Sequence, residues 1–229
     1  MRTKFSFRQF IVPHIGRKLA FMLPAVFMMG FTLSILIIIG WGTDPASFMN
    51  LNIAAATGLS LGNTQVLVYS IMLIFTFIFG AQMIGFGTLA NMIFIGYIAD
   101  FFHWVWDNTG FTLFVEQSPL PAKIAIFAFT ILVFVIVASI YINAQLGTAP
   151  YDALPTIISG AIPKIPFFII RIIFDFSAIG IGLLAAKLGN EGVQGSIIGS
   201  VCMSVMLGPV ISVVSRPLSK ILNPEEHQE

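Results

Sequence analysis

The chain has 229 residues, of which 57% are hydrophobic and only 9% charged, with a formal net charge of +1; its mean hydropathy is +0.96. Soluble domains carry charge at about a quarter of their positions, so a water-soluble globule is excluded, and the near-zero balance supplies no basic surface for nucleic acid. Four runs free of Asp, Glu, Lys and Arg, at 19–43, 45–99, 124–151 and 192–215, can hold spans of about 20 apolar residues. Lipid offers exposed backbone no hydrogen-bond partner. The expected fold class is therefore all-α, a polytopic transmembrane helix bundle.

In chain order, residues 1–18 form a basic segment, MRTKFSFRQFIVPHIGRK, that reads as a cytoplasmic flank. A lipid-binding amphipathic segment is the alternative. The apolar run after it is a full span with no A-x-A-like site, so an uncleaved anchor is expected. Six spans follow, at 19–41, 62–81, 85–105, 122–145, 166–187 and 193–214. Two shorter apolar pieces, 46–58 and 151–162, reach about 20 Å as helix, too little to cross. Pro45 and Pro150 suit the first turn of each piece,, and both are expected as re-entrant or interfacial half-helices. Residues 106–121 read as an extracytoplasmic loop and 215–229 as a cytoplasmic tail. Cys202 is the single cysteine and forms no internal disulfide,.

The chain reads as two membrane repeats, 19–105 and 122–214. Ser34, Gly42, Thr43 and Pro45 recur as Ser139, Gly147, Thr148 and Pro150, all displaced by 105. Each copy would be span, half-helix, span, span. Three crossings per copy invert the second copy relative to the first, an arrangement many secondary transporters share. Arg17, Lys18, Arg216 and Lys220, with Arg2, Lys4 and Arg8, then fall on the cytoplasmic side, whereas 106–121 carries no Lys or Arg,. If the short pieces crossed as well, the count would be eight and the copies parallel.

Leu146-Gly147-Thr148-Ala149-Pro150-Tyr151-Asp152-Ala153-Leu154 resembles the LG-x-x-P-aromatic-D-x-L motif of the YczE/YyaS/YitT group of bacterial membrane proteins. The span carrying Arg171 and the glycine-rich stretch 189–199 resemble the same group, as do Leu59-Ser60-Leu61-Gly62 and Gly85-x-Gly87-Thr88 in the first half. Tyr151 stands where the group often has Trp, and the first copy lacks the aromatic-Asp pair. The resemblance implies the fold and a bacterial cell membrane, but no chemistry.

Enzyme motifs fare poorly. Gly58-x-Ser60-x-Gly62 fits a nucleophile elbow only in letters, because it joins two apolar helical segments instead of a strand and a helix,. An intramembrane hydrolase using Ser60 with His103 is kept as a minor alternative. Gly85-x-Gly87-x-x-Ala90 follows no strand, so a dinucleotide site is not expected,. No His, Cys or acidic cluster has metal-ligand spacing,, and no cofactor is expected. Gly195, Gly199, Ser200, Ser204 and Gly208 read as one small-residue face for close helix packing,.

What remains is polar groups inside the apolar runs, which normally face protein or water. Arg171 and Asp175 are four apart and on one helix face,; the bland reading is a self-neutralising pair. Asp152 in the first turn of the second half-helix suits the helix dipole,. The functional reading places Asp152 and Asp44 at one cavity, joined by Asn143, Gln145, Asn50 and Asn52. Asn63, Gln82 and Asn91 are weaker candidates. Three functions follow: a gradient- or partner-driven permease for a small molecule or ion, a non-transporting accessory or sensor subunit, or an intramembrane enzyme. Expected partners are the lipid bilayer, the small-molecule or ion substrate, and a second copy or another membrane protein; nucleic acid is not expected.

Overall fold

The computed structural model describes residues 5–222, so Arg2, Lys4 and the tail beyond 222 lie outside the described residues. Nine α-helices and no strand are present among them: α1 (Ile15–Ile39), α2 (Pro45–Thr57), α3 (Leu61–Gly80), α4 (Phe86–Thr109), α5 (Phe111–Gln117), α6 (Leu120–Asn143), α7 (Pro150–Ala161), α8 (Phe167–Leu188) and α9 (Ile197–Leu222). Six of these, α1, α3, α4, α6, α8 and α9, are long and apolar enough to cross a membrane. The protein is a multi-pass membrane protein. The half-helices, at 13 and 12 residues, are about 20 Å long and do not reach across a core of about 30 Å. One expectation fails in part: residues 106–121 are largely helical, because α4 runs on to Thr109 and α5 follows after Gly110. The indole of Trp106 donates to Ser34 Oγ at 2.9 Å, tying that end of α4 to α1.

Helix boundaries follow local chemistry. Gly40 closes α1 with φ 70°, its N–H donating to the Leu36 carbonyl. Asp44 caps α2, its side chain accepting from the Ser47 N–H, with Pro45 in the first turn,. Ser60 caps α3 by accepting from the Asn63 N–H. The Asp100 carboxylate on α4 accepts from the Leu61 and Gly62 N–H groups at 3.1 and 2.8 Å, so two donors that a helix start leaves unpaired are satisfied from a neighbouring helix.

Packing fixes the relative directions. Gly30 of α1 lies against Ile95 and Ile98, Ser34 against Trp106, and Gln9 reaches the Ala81 and Ile84 carbonyls, so α1 and α4 run parallel. Gly62 meets Gly96 almost backbone to backbone, and Gln65 donates to the Asn91 carbonyl, so α3 and α4 run antiparallel. The end of α1 clusters with the start of α6 through Trp41 and Phe127, and earlier α1 residues cluster with Phe134 to Tyr141. The two are therefore antiparallel. Lipid is as apolar as a leucine side chain, so close backbone approach at small residues holds these helices together.

The half-helices exchange neighbours. α2 lies along α8, with Gly182 against Met49 and Gly189 against Ala56. α7 lies along α3, with Ile157 against Gly80. Each break between a span and its half-helix is seated on the start of a helix from the other half. At Leu146-Gly147-Thr148, the Leu146 carbonyl accepts from the Gly87 N–H at 2.7 Å and the Thr148 N–H donates to the Met83 carbonyl at 2.9 Å. At Trp41-Gly42-Thr43, the chain crosses Gly199 and Ser200, where the Thr43 N–H donates to Ser200 Oγ at 3.3 Å. Any Cβ on Gly199 would fall on the Trp41 carbonyl. The expected small-residue face of α9 thus packs at Gly199 and Ser200, whereas a Cβ on Gly208 would meet nothing within 4 Å.

Candidate functional site

Asp152 sits in the first turn of α7 and Arg171 one turn into α8, and the tight turn between these antiparallel helices brings them together. Arg171 Nη1 donates to Asp152 Oδ1 at 2.6 Å and Nε donates to Asp175 Oδ2 at 3.1 Å. The hydroxyl of Tyr151 donates to the second Asp175 oxygen at 2.7 Å. Arg171 also lies over the Tyr151 ring, 5.3 Å from its centre, and Phe174 meets that ring edge to face. Asp175 is buried, with both oxygens occupied by a charged and a phenolic donor. That is how a carboxylate is tolerated among apolar side chains. Its exposure is 3%, against 30% for Arg171 and 40% for Asp152, so the group opens outward at Asp152.

Asp44, at the start of the other half-helix, lies within electrostatic reach of Asp152, Arg171 and Tyr151. One of its oxygens accepts the Ser47 N–H. Ala46 of α2 and Tyr151 of α7 share one packed cluster with Ala178 of α8. The cluster also holds Met49, Tyr69 and Met92 and is flanked by Phe174 and Met72. Tyr69 comes from α3 and is within electrostatic reach of Asp44, Asp152 and Arg171.

Of the residues expected here, Asp152, Arg171 and Asp175 come together in one hydrogen-bonded group, whereas Asp44 caps α2 through the Ser47 N–H. Asn50 is fully buried on α2 with neither amide atom hydrogen-bonded, one turn beyond Ala46 of the same cluster. The remaining amides go elsewhere. Asn143 donates to the Ser139 carbonyl of its own helix, and Gln145, with φ 54°, is exposed in the break. Asn52 binds the Gln194 backbone in both directions, at 3.1 and 2.9 Å, and pins the chain before α9 to α2. Asn63 accepts from the Tyr97 hydroxyl, Gln82 is exposed, and Asn91 packs where Gln65 crosses α4. His103 lies 3.7 Å from Asp107.

Sequence reasoning missed Tyr69 as a member of this group. One tyrosine in an apolar span gives no signal, and only the crossing of α3 by α7 reveals it. Tyr151 had a signal, the aromatic beside Asp152 in LGTAPYDAL. A cavity of about 270 Å³ lies elsewhere, between α6, α9 and the break after α1, lined by residues such as Trp41, Phe127, Met203 and Met206. It has no ionisable group beyond Cys202, so the chemistry is placed at the ion-pair group instead.

Neither a curated protein nor a solved structure matches the chain. A family match covers residues 16–216, from the start of α1 into α9 and including every residue of the ion-pair group. The chain belongs to the family of unknown function DUF6198.

Proposed function

We propose that the protein is a permease for a small molecule or ion, driven by a gradient or by a partner, with its site where α2 and α7 begin. The observation that carries this is Arg171 bridging Asp152 and Asp175 at the start of one half-helix, with Asp44 at the start of the other. Three supports accompany it. First, the two halves exchange their packing: α2 lies on α8 as α7 lies on α3, and each break seats on the other half. Second, α1 and α6 run antiparallel, as an inverted repeat requires and a parallel, eight-crossing one does not. Third, an ionisable group inside a membrane segment is costly, so it is a functional-site candidate by default. The same proposal places the protein in a bacterial cell membrane with both termini cytoplasmic, and makes it kin to the YczE/YyaS/YitT group it resembles.

The test is uptake into liposomes holding the purified protein, over a broad panel of metabolites and ions, with thermal shifts for the same panel. A ligand should raise the melting temperature and enter the vesicles, and Asp152→Asn or Arg171→Ala should abolish entry. The permease reading would be abandoned if no compound bound or crossed while both variants kept the cellular phenotype of the wild type. Stoichiometric co-purification of another membrane protein under those conditions would favour the accessory-subunit reading.

A further inference from the structure

We propose that the cavity between α6 and α9 holds one acyl chain of a membrane phospholipid, and that this chain secures the seat of the break after α1. The site is separate from the ion-pair group and does not depend on transport. Its walls are apolar side chains, Trp41, Phe127, Met203 and Met206 among them. An apolar cavity of about 150 Å³ stays dry and takes a benzene-sized molecule, and this one has about 270 Å³. Water needs two or more polar partners to settle in a cavity, so hydrocarbon is the occupant that these walls accept.

Shape and setting select a chain. Phe127, Ile131 and Val135 form one stripe along α6, about 12 Å long at the rise of an α-helix. Gly199, Met203, Met206 and Val210 form the facing stripe on α9. The groove is therefore elongated along two spans, the form of an extended alkyl chain. It opens sideways, because Met206 and Val210 are 62% and 41% exposed. Exposed apolar side chains on a membrane span face lipid, so the opening gives onto acyl chains. The two methionines adapt their shape to a flexible occupant.

The first half of the molecule fills the corresponding place with its own side chains. Met22, Val26 and Gly30 stand 105 residues before Phe127, Ile131 and Val135. Met22 and Val26 sit in one core cluster with Ala90, Ile95 and Leu146, and Gly30 meets Ile95 and Ile98. α9 closes less well on α6 and is the least buried of the six spans. The weaker of the two break seats is here too. Gly199 lines the cavity and bears the Trp41 carbonyl. The Thr43 N–H holds Ser200 by one bond of 3.3 Å, where the other break has two shorter backbone bonds. A chain lying against the Trp41 ring supplies the packing that side chains supply in the first half.

The experiment titrates phosphatidylcholine with brominated acyl chains into the delipidated full-length protein, held in a sterol-based detergent that brings no alkyl chain of its own. Bromine quenches indole fluorescence on contact, and the difference between wild type and Trp41→Phe isolates the signal of Trp41. That signal should fall to a plateau reached with a single lipid per protein, and the thermal midpoint should rise with it. Cys202→Phe and Ile131→Phe each fill the groove. Each should weaken lipid binding at Trp41 about tenfold and remove the thermal gain, which is read without Trp41→Phe. Val205→Phe, on the exposed flank of α9 outside the lining, should change neither. Quenching at Trp41 without a plateau, binding and thermal gain unchanged in both filled variants, or quenching of Trp41 by aqueous iodide, the mark of a wet channel, would each overturn the proposal.

Discussion

At the residue scale, Arg171 is the centre of the group, and its removal separates two readings of its energy. A buried ion pair adds little net stability, but taking away one partner strands the other. Arg171→Ala would leave Asp175, 3% exposed, without its cation, and a loss of about 3–5 kcal/mol is expected, read as a lower midpoint in denaturant. Arg171→Met combined with Asp175→Leu should recover part of it, because the buried carboxylate is gone, while Asp152, 40% exposed, loses its cation and the Tyr151 hydroxyl its acceptor,. If the double variant is as unstable as the single one, the pair contributes more than mutual neutralisation. Tyr151→Phe removes one donor to Asp175 and should cost about 1–3 kcal/mol. The charged members of this group were legible in the sequence. Arg171 and Asp175 share a helix face by spacing alone, and Asp44 and Asp152 flank prolines 105 residues apart. Tyr69 was not, because its role depends on a crossing between helices far apart in the chain.

At the element scale, glycines decide where the breaks sit. A Cβ on Gly199 would lie on the Trp41 carbonyl, and one on Gly85 would lie on the Leu146 carbonyl. Both obstacles are backbone, which cannot rotate aside as a side-chain tip does. Gly199→Ala and Gly85→Ala should each destabilise the fold by more than ~3 kcal/mol, the range of severe single substitutions, while Gly208→Ala and Gly180→Ala, which meet nothing within 4 Å, should be close to neutral. Thermal midpoints of the four variants in one detergent test this; helix propensity favours alanine inside α8 and α9, so equal losses at all four would mean that the crossings do not set the cost. The two crossings also differ. The one at Leu146 carries two backbone hydrogen bonds, the one at Thr43 a single longer bond to Ser200. Helix ends could be read from Pro45, Pro150, Gly40 and Gly58 because capping is local. The seating of Gly147 on Gly85 joins segments some 60 residues apart, and no local rule reports it. α5 escaped for a different reason: seven residues, FTLFVEQ, with no side-chain cap and a following proline look like a loop.

At the scale of the whole molecule, the directions of the spans carry the argument from fold to topology. α1 and α4 run parallel, α3 runs against α4, and α6 runs against α1. Since α7 turns back into α8 without crossing, the segment joining α4 to α6 and the one joining α8 to α9 lie on one side of the membrane. The turn at 162–166 lies on the other. With Arg17 and Lys18 on the cytoplasmic side by the charge rule, residue 118 should be outside and residue 164 inside. Single-cysteine variants on a Cys202→Ser background, Ser118→Cys, Asn190→Cys and Lys164→Cys, allow this to be read with a membrane-impermeant maleimide in intact cells. Ser118→Cys and Asn190→Cys should label at once, and Lys164→Cys only after permeabilisation. The pattern constrains function as well as fold. If position 118 were protected while 190 was labelled, the half-helices would have to cross, and the two copies would be parallel instead of inverted. Labelling at 118 and 190 with protection at 164 keeps the six-crossing arrangement, in which neither half-helix crosses and the two halves run in opposite directions, the geometry an inverted repeat requires.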